Sequence, residues 1–391
     1  MMRVNQHGAD GPRPCTAADL PGVIALVDAA MRGGTDQSMR TDYPLVYRDD
    51  NLENIRVISL FGEVVSVVPF LPRDVVLDDC RFRIGIISPT ATAPAHRKKG
   101  FGLRCLQSCI EQMARTQCDL SVLWTLAGTF PFYEHGGYQA VRCQGAHYIC
   151  GPDAGHLFAD NGEQIVELAR SDSSLLSAIR SAHEREAHGV LRAPDEYPAL
   201  FGLPGMRTLV ALRNGRFAAY LLVSRAVNKP GLIEAGGKDA AVESLVRRAT
   251  IECGADEPIR AHVNLSETVL ERVLARRIPD RREWTPASMM VRINNPASFF
   301  RKTASVLEKR NQGIERAFSI RIVDSRETLS FRFSKTGLAL GADRLAPHFE
   351  MSLREWTSVV FGEHPARPVP APEVMQGIFP LYFPVWVLDR S

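Results

Sequence analysis

The stretch from residue 80 to residue 116 constrains the fold more than any other part of the chain. An apolar run over 80–92 predicts a strand, and a short basic turn leads from it into a helix predicted over 102–116. Apolar side chains recur on one face of that helix, namely Leu103, Leu106, Ile110 and Met113. A turn between a strand and a helix start is suited to bind an anion, because the first helical N–H groups point outward.

The composition of this turn supports anion binding. It holds three consecutive basic residues, Arg97, Lys98 and Lys99, and two glycines, Gly100 and Gly102. Glycine lets the backbone approach a ligand closely, and a helix N-terminus carries the positive end of the helix dipole. A pyrophosphate fits such a site. The GxxxxGK[ST] and GxGxxG patterns are absent, and a solvated basic helix start is the alternative interpretation.

Hydrophobic periodicity predicts an alternating series of helices and strands around this turn. Phe61-Gly62-Glu63 separates two β-branched runs and indicates a hairpin. The predicted elements are a helix over 17–32, strands over 55–60, 64–71 and 119–126, and a last strand over 139–150. Residues 151–155, Gly-Pro-Asp-Ala-Gly, are predicted to be a linker.

A second segment shows a similar alternation. Asn214-Gly215 is a strong hairpin signal, and Ser266 is predicted to cap a helix. The predicted elements are strands over 208–213, 216–224, 233–235, 259–264 and 289–293, and helices over 239–252 and 266–276.

A third segment begins near Asn294. The predicted elements are helices over 296–312 and 352–361 and strands over 314–324, 328–334 and 337–340. A proline-rich piece over 365–372 precedes an apolar tail over 379–388. We expect the tail to be docked, because disordered tails are rarely this apolar.

The composition excludes several classes of protein. The chain has 391 residues, of which 45% are hydrophobic and 23% charged, as in globular proteins of two to three domains. The net charge of +3 is too small to argue for nucleic acid or an anionic membrane. No apolar run approaches the roughly 20 residues that span a bilayer, and the polar N-terminus has no signal-peptide core. We expect a cytoplasmic protein that binds neither nucleic acid nor a membrane.

The eight cysteines do not suggest a metal site. They lie at positions 15, 80, 105, 109, 118, 143, 150 and 253 and form no CxxC pair. Cys105 and Cys109 could share a helix face, but no further residues with zinc-type spacing lie nearby. We expect reduced, mostly buried thiols and no metal.

Two motifs together carry a resemblance to a known family. Arg97-x-x-Gly100-x-Gly102 resembles the R/Q-x-x-G-x-G/A pyrophosphate loop of the GNAT-type N-acetyltransferases. Residues 132–138, Phe-Tyr-Glu-His-Gly-Gly-Tyr, resemble that family's late fY-x-x-x-G-[FY] segment. The two motifs lie about one helix and one strand apart, as in that family.

The resemblance narrows to the enhanced-intracellular-survival (Eis-type) acetyltransferases. Residues 43–57, Leu123-Trp124 and 379–389 are similar to segments of that group. The second segment contains no R-x-x-G-x-G, and Gly236-Gly237 before a helix is the nearest remnant. This departure fits a domain that has lost coenzyme binding.

The resemblance implies three domains. They are a GNAT acetyltransferase domain over 1–150, a degenerate GNAT-like domain over 151–293 and a sterol-carrier-protein-like domain over 294–391. The implied fold class is α/β and α+β, with tandem GNAT-type mixed-sheet domains followed by a sterol-carrier-protein-2-like domain. The resemblance also implies a homo-oligomer, either a hexamer or a smaller assembly.

The resemblance further implies acetyl-CoA as the cosubstrate and no metal. Backbone groups of Ala91 and Thr92 would pair with the pantetheine arm, and the basic loop would hold the pyrophosphate. The implied cosubstrate-binding residues are Ala91, Thr92, Ala93, Arg97, Lys98, Lys99, Gly100, Phe101 and Gly102. A substrate amine would attack the thioester directly, without a covalent enzyme intermediate.

Tyr133 matches the general acid of the family, which protonates the leaving thiolate. A phenol with a pKa of about 10 suits this role beside a thiol with a pKa of about 8.5. The alternative is a core aromatic residue beside Phe132. In the Eis group the C-terminal carboxylate is the base, and the matching group is that of Ser391. This chain ends in Leu-Asp-Arg-Ser and not in an aromatic residue, so Asp389 and a merely structural tail are alternatives.

Other polar and aromatic residues carry weaker expectations. His96 and His135 are expected to be structural or exposed. Five early acids could attract a cationic amine or could simply be solvated, namely Asp28, Asp36, Asp42, Asp49 and Asp50. Phe61, Phe70 and Trp124 are expected to line a pocket or to belong to the core.

Three functions compete. The first is an acetyl-CoA-dependent N-acetyltransferase that acts on a small amine or a lysine side chain, with the acceptor left open. The second is a carrier that binds an apolar ligand in the third segment, which would require an open apolar tunnel there. The third is a coenzyme A-binding protein without catalysis.

Overall fold

Strands and helices alternate along the chain in the structure, which is a computed structural model. The residues that it describes are 8–33, 35, 37–141, 145–169, 172–224, 231–252, 259–264, 268–285, 289–365, 368–382, 385 and 388–390. The strands are β1 (Ala9–Pro14), β2 (Ile55–Leu60), β3 (Glu63–Leu77), β4 (Cys80–Ile87), β5 (Ala91–Thr92), β6 (Leu120–Trp124), β7 (Gln139–Ala140), β8 (Gly145–Cys150), β9 (Gln164–Glu167), β10 (His188–Leu191), β11 (Met206–Arg213), β12 (Arg216–Ser224), β13 (Gly231–Gly237), β14 (Ile259–Asn264), β15 (Arg282–Thr285), β16 (Met289–Ile293), β17 (Arg316–Ile322), β18 (Glu327–Ser334), β19 (Gly337–Gly341) and β20 (His348–Met351).

Most of the helices are two to four turns long. They are α1 (Leu20–Met31), α2 (Met39–Asp42), α3 (Phe101–Arg115), α4 (Phe130–Glu134), α5 (Ser173–His183), α6 (Glu196–Phe201), α7 (Asp239–Ile251), α8 (Val269–Arg277), α9 (Pro296–Lys302), α10 (Ala304–Asn311) and α11 (Leu353–Phe361). Short 3-10 helices cover Asp49–Asn54, Pro94–His96, Ala127–Thr129, Pro152–Leu157, Pro279–Arg281, Glu373–Met375 and Leu388–Arg390.

The chain forms two compact units, each made of segments that are distant in sequence. The first unit comprises Met1–Val75, Asp79–Cys143 and Ala287–Leu381. The second comprises Val76–Asp78, Gln144–Pro286 and Tyr382–Ser391.

The larger sheet of the first unit mixes parallel and antiparallel pairs. Its strand order is β1-β2-β3-β4-β6-β16-β7, and β5 pairs with β3. β4 and β6 are parallel, whereas β16 runs antiparallel to both β6 and β7. The amphipathic helix α3 buries Cys105, Leu106 and Cys109 in the core of this unit. Gly85 of β4 leaves the space for Met113 of α3, since a Cβ there would lie 2.8 Å from the methionine side chain.

A second sheet in the first unit has the order β19-β18-β17-β20. Aromatic rings fill the space between this sheet and the helices α9 and α11. Phe300 lies 5.1 Å from Phe331, measured between ring centroids, and Trp356 lies 5.4 Å from Phe379. Phe379 and Leu381 of the predicted tail are buried here, so this part of the tail is docked, as the sequence predicts.

The second unit holds the sheet β15-β8-β14-β13-β12-β11-β9, against which α7 packs its apolar face. A fully buried Arg192 donates to two carboxylates there, at 2.6 Å to Glu234 Oε2 and 2.7 Å to Asp389 Oδ1. Burial alone would raise the pKa of Glu234, but Arg192 and His183 outweigh it, so this pKa stays well below its usual range. The ion cluster therefore anchors the 3-10 helix Leu388–Arg390 within this unit.

Several predicted elements differ from the structure for local reasons. The strand predicted over 80–92 is divided into β4 and β5, because Pro89 lacks the N–H that a ladder requires. The helix predicted over 296–312 is divided at Thr303, whose ψ of 13° lies outside the helical range. Ser266 lies outside the described residues, and Thr268 caps α8 by accepting from Glu271 N.

Two strands pair with partners other than those expected from their position in the sequence. The sequence places β8 at the end of the first segment, but this strand pairs with β14 and β15. The sequence places β16 in the second segment, but this strand pairs with β6 and β7 of the first unit. The division at residues 150 and 293 stays a prediction, and both strands pair with strands on the other side of the boundary at residue 150.

Within the part of the chain that the structure describes, no helix has the length and apolar character to cross a membrane.

Asp119 connects several elements of the first unit. Its side chain is almost fully buried, and Oδ2 accepts from Arg83 N at 3.0 Å and from Lys302 Nζ at 2.7 Å. Its backbone N–H donates to the Arg83 carbonyl at 2.7 Å, and its carbonyl accepts from the N–H groups of Asn294 and Asn295. One residue thus joins β4, the start of β6, the end of β16 and α9.

We predict that Asp119→Ala lowers the free energy of unfolding by about 3 kcal/mol, because it leaves the Arg83 N–H without its acceptor and Lys302 without its carboxylate. Urea unfolding measures this loss. The matched control is Asp74→Ala, since the ion pair of Asp74 with Arg83 is half exposed and is expected to contribute less than about 1 kcal/mol. Equal losses in the two variants would contradict the role of Asp119.

Candidate active site

The backbone N–H and C=O groups of Thr92 in β5 point away from the neighbouring strand β3. β5 is antiparallel to β3, with Thr92 opposite Ser66, and Ala93 N donates to the Val65 carbonyl at 2.9 Å. Because bonding sides alternate along an antiparallel strand, Ala91 and Ala93 bond toward β3 and Thr92 bonds toward the other side. The resemblance implies that Ala91 and Thr92 pair with the pantetheine arm. Of these two residues, Thr92 is the one whose N–H points away from β3.

The basic turn is tied back to this strand. After the 3-10 helix Pro94–His96, Arg97 Nε donates to the Thr92 carbonyl at 3.1 Å. Lys98 follows with a left-handed φ of +60°, and Lys98 and Lys99 are both exposed. The turn thus presents three cationic side chains at the surface.

The helix start that follows is open to an anion. Gly100 has a φ of +83°, and among the described side chains none caps α3. The first N–H groups of α3 therefore have no intrahelical or capping acceptor. Gly102 lies in a tight space, because a Cβ there would be 3.2 Å from Thr92 Oγ1 and 3.3 Å from the Phe132 ring. Phe101 between them is buried.

Tyr133 approaches the same place from α4. Its ring is buried and packs edge-on against Phe132 and Tyr138, at centroid distances of 4.8 and 6.0 Å. Burial raises the pKa of Tyr133, and a hydrogen bond with the Thr90 side chain opposes this shift. The phenol is therefore neutral at physiological pH and lies beside the residue that precedes β5.

The structure thus brings together three segments that the sequence separates, namely 90–93, 97–102 and 130–134. Thr90 was not singled out from the sequence. Its position directly before the predicted strand end is the signal that could have pointed to it, but a threonine there carries no motif of its own.

The two histidines near the motifs make ordinary contacts. His96 is half-buried with its ring 6.2 Å from that of Phe101. His135 is exposed, and its Nδ1 contacts the Pro131 carbonyl.

Three of the five early acids bond to neighbouring groups. Asp28 accepts from the first N–H of α2 at 2.6 Å, Asp42 pairs with Arg32 and Asp50 pairs with Arg48. Asp49 begins a 3-10 helix, and Asp36 lies outside the described residues. The described ion pairs leave less negative charge for a cationic acceptor than the composition suggests.

The aromatic candidates separate into different environments. Phe70 is fully buried in the core, whereas Phe61 is 90% exposed at the tip of the β2–β3 hairpin and belongs to neither core nor pocket lining. Trp124 ends β6 and is half-buried.

Of the two candidate bases, the structure describes only Asp389. Ser391 lies outside the described residues. Asp389 is fully buried, and its two oxygens accept from Arg192 Nε at 2.7 Å and Nη2 at 2.9 Å. A carboxylate held in this way does not fit the role of a base that receives a proton from a substrate.

The six thiols that the structure describes are buried. Burial raises the pKa of Cys105 to about 12 and that of Cys118 to about 11, and Cys109 Sγ donates to the Val68 carbonyl at 3.0 Å. These thiols are therefore poor nucleophiles and poor metal ligands. Among the described residues no group of three or more His, Cys, Asp and Glu side chains is arranged to hold a metal ion.

Gly236 and Gly237 before α7 serve packing in the second unit. A Cβ on Gly236 would lie 2.6 Å from the Tyr220 ring, and one on Gly237 would lie 2.4 Å from the Ala218 carbonyl. Protein atoms thus fill the space on both glycines.

Comparison with known proteins supports an acyl-transfer domain. Residues 12–141 match the family model of the acetyltransferase (GNAT) domain. No curated protein is significantly similar to the chain in sequence.

Solved structures share the fold over most of the chain. A probable N-acyltransferase from Enterococcus faecalis has a TM-score of 0.68 at 15% identity, over 90% of this chain and 89% of that protein. A GCN5-related N-acetyltransferase from Kribbella flavida has a TM-score of 0.65 at 14% identity, over 88% and 87%. Eis1 from Mycobacterium abscessus has a TM-score of 0.60 at 12% identity, over 88% and 87%. At these identities the likeness shows the fold alone.

We predict that the Tyr133 phenol stays protonated above pH 10, because burial raises its pKa. The stability that it contributes is complete below the pKa of an unfolded tyrosine, about 10, and is lost as the pH rises through the folded pKa. Absorbance titration at 295 nm of the wild type and of Tyr133→Phe measures this ionisation. A phenol that titrates below pH 10 in the wild type and is missing from the variant would contradict the prediction.

Proposed function

We propose that the chain, whose residues 12–141 form an acetyltransferase domain of the GNAT type, moves an acetyl group from acetyl-CoA to a primary amine by direct attack. The observation that carries the proposal is the convergence at one strand end. Gly102 of the helix start lies against Thr92, and the Tyr133 phenol lies near enough to the Thr90 side chain, two residues earlier, for Thr90 to oppose the rise in its pKa. A binding loop for an anion and a neutral proton donor therefore flank the same outward-facing strand.

The residues present fit the chemistry of acetyl-CoA. The uncapped start of α3 and the exposed Lys98 and Lys99 would hold the pyrophosphate, with Arg97 shaping the turn. The N–H of Thr92 would pair with an amide of the pantetheine arm. Acetyl-CoA supplies the activated acyl group as a thioester.

Tyr133 would act as the general acid. The reacting amine forms the new C–N bond as the C–S bond breaks, and the departing sulfur takes a proton from the phenol. A buried phenol with a raised pKa carries that proton at neutral pH. The Thr90 side chain, which opposes the rise in the pKa of Tyr133, would offset part of the cost of burying the phenolate that forms.

The base that accepts the proton of the amine is proposed by resemblance alone. The candidate is the C-terminal carboxylate of Ser391. Asp389 is the weaker alternative, because Arg192 already takes both of its oxygens. The acceptor is proposed to be a small amine or a lysine side chain.

We propose the Eis-type organisation for the rest of the chain. It comprises the domains 1–150, 151–293 and 294–391, the last like a sterol carrier protein, assembled as a hexamer or a smaller homo-oligomer. The fold likeness to Eis1 supports this assignment, and so does the separate sheet of β17–β20 with α9–α11. Sedimentation velocity would measure the assembly, and a monomer would contradict it.

A carrier function is less well supported. A lipid carrier needs an open apolar tunnel, but Phe300, Phe331 and Trp356 pack ring against ring in the third segment. Phe379 of the tail adds a further ring to the same cluster, 5.4 Å from Trp356. These contacts fill the interior where a tunnel would run.

We predict that Arg97→Ala lowers the affinity for acetyl-CoA about tenfold in calorimetry, because it removes a cation and the bond that shapes the turn. The matched control is Arg115→Ala, which removes an exposed arginine from the opposite end of α3 and should leave the affinity within twofold. Equal effects of the two substitutions would place the cosubstrate elsewhere.

We predict that Tyr133→Phe lowers kcat by about 10²- to 10⁴-fold, the usual contribution of general acid–base catalysis. The affinity for acetyl-CoA should stay within twofold, because the ring and its packing remain. Thiol release from acetyl-CoA over a panel of amines measures kcat.

The control for the phenol is Tyr138→Phe. Tyr138 lies in the same cluster and accepts from Ser121 Oγ at 2.7 Å, so its loss should cost about 1 kcal/mol of stability but leave kcat within twofold. If the wild type binds acetyl-CoA and turns over no amine, the chain is a coenzyme A-binding protein without catalysis. If the wild type does not bind acetyl-CoA, the acetyltransferase proposal fails.

A further inference from the structure

The helix that carries Tyr133 is too short to be stable without contacts to the rest of the first unit. α4 has five residues, and among the described side chains none caps its start at Thr129. An isolated helix of this length is unstable in water. The orientation of the phenol must therefore come from contacts with other parts of the first unit.

One such contact comes from β16. Arg292 Nε donates to the Gly136 carbonyl at 3.1 Å, in the turn that follows α4. The same guanidinium donates through Nη1 to Asn294 Oδ1 at 2.7 Å, which fixes its orientation. Gly136 N in turn donates to the Tyr133 carbonyl at 2.8 Å. Through these two hydrogen bonds, Gly136 thus connects Arg292 with the backbone of Tyr133, the proposed acid.

The next glycine makes this contact possible. Gly137 has a φ of +82°, and a Cβ there would lie 3.2 Å from Arg292 Nε. A side chain at this position would both strain the backbone and push the guanidinium away. Gly136-Gly137 therefore forms the contact surface for Arg292.

A second contact comes from α11. Arg354 Nη2 pairs with Glu134 Oε1 at 3.0 Å, at the last residue of α4. Its Nε donates to Gln139 Oε1 at 3.2 Å, at the start of β7. The two bonds span the turn from α4 to β7. Arg354 thus holds both ends of this turn and Arg292 holds its middle, and both arginines lie more than 150 positions further along the chain.

We propose that Arg292 and Arg354 are positioning residues that hold α4 so that the Tyr133 phenol faces the thioester sulfur. The inference rests on the proposed function, because it assigns Tyr133 the role of the acid. It means that residues of the second and third segments contribute to catalysis through the orientation of α4. No substrate contact by either arginine is required.

The test compares Arg292→Met and Arg354→Met with Lys302→Met. Lys302 is, like Arg354, a cation of the third segment, but it bonds to Asp119 and not to the turn after α4. We expect the two arginine substitutions to lower kcat at least tenfold, with the calorimetric Kd for acetyl-CoA within twofold of the wild type. Lys302→Met should leave kcat within twofold. Equal kcat losses in all three variants would indicate general destabilisation and overturn the proposal.

A double-mutant cycle tests whether the arginines act through the phenol. In a Tyr133→Phe background, Arg292→Met and Arg354→Met should lower kcat less than twofold further. A full additional tenfold loss would overturn the inference. If Arg292→Met does not fold, Arg354→Met alone completes the cycle, because its ion pair is partly exposed. As a conservative variant, Arg354→Lys should recover part of the kcat that Arg354→Met loses.

The outcomes also separate this inference from the proposed function. If Tyr133→Phe abolishes turnover but neither arginine variant changes kcat, only the positioning role fails. If Tyr133→Phe retains wild-type kcat, the assignment of the acid fails and the positioning role fails with it.

Discussion

The buried carboxylate of Asp119 is the interaction on which the first unit depends. It lies where β6 begins and accepts from Arg83 N of β4 and from Lys302 Nζ of α9. Its backbone carbonyl accepts from the two residues that follow β16. These partners lie in β4, directly after β16 and in α9. Asp119 therefore links the parallel β4–β6 pair with β16, a strand about 170 positions further along the chain.

The position of β16 has a direct consequence for the site. β16 lies between β6 and β7 in the sheet, whereas α4 lies between the same two strands in the sequence. The chain leaves the sheet after β6, forms α4 and returns as β7, and β16 occupies the position between these two strands. This arrangement brings Arg292 under the turn after Tyr133. The proposed acid is thus supported by residues that no local motif connects with it.

The local parts of the site could be predicted from the sequence, and the long-range parts could not. The turn from Arg97 to Gly102 is encoded by glycine positions and by the apolar face of α3, which are short-range signals. The hairpin at Phe61-Gly62 is equally local. The apolar pattern of β16 fits any open sheet edge, so its pairing with β6 could not be deduced from position. Thr303 divides a predicted helix through a non-helical ψ of 13°, which propensity alone does not reveal.

Burial gives Tyr133 a property that the proposed chemistry needs and also imposes a cost. A general acid must carry its proton at working pH, and exclusion of water raises the phenol pKa. The same exclusion makes the phenolate that forms during proton transfer expensive. The nearby Thr90 side chain compensates for part of this cost only if the phenol is held at the correct distance and angle from it. A five-residue helix cannot supply that precision alone, which is why the support of α4 by distant arginines matters for the chemistry as well as for the fold.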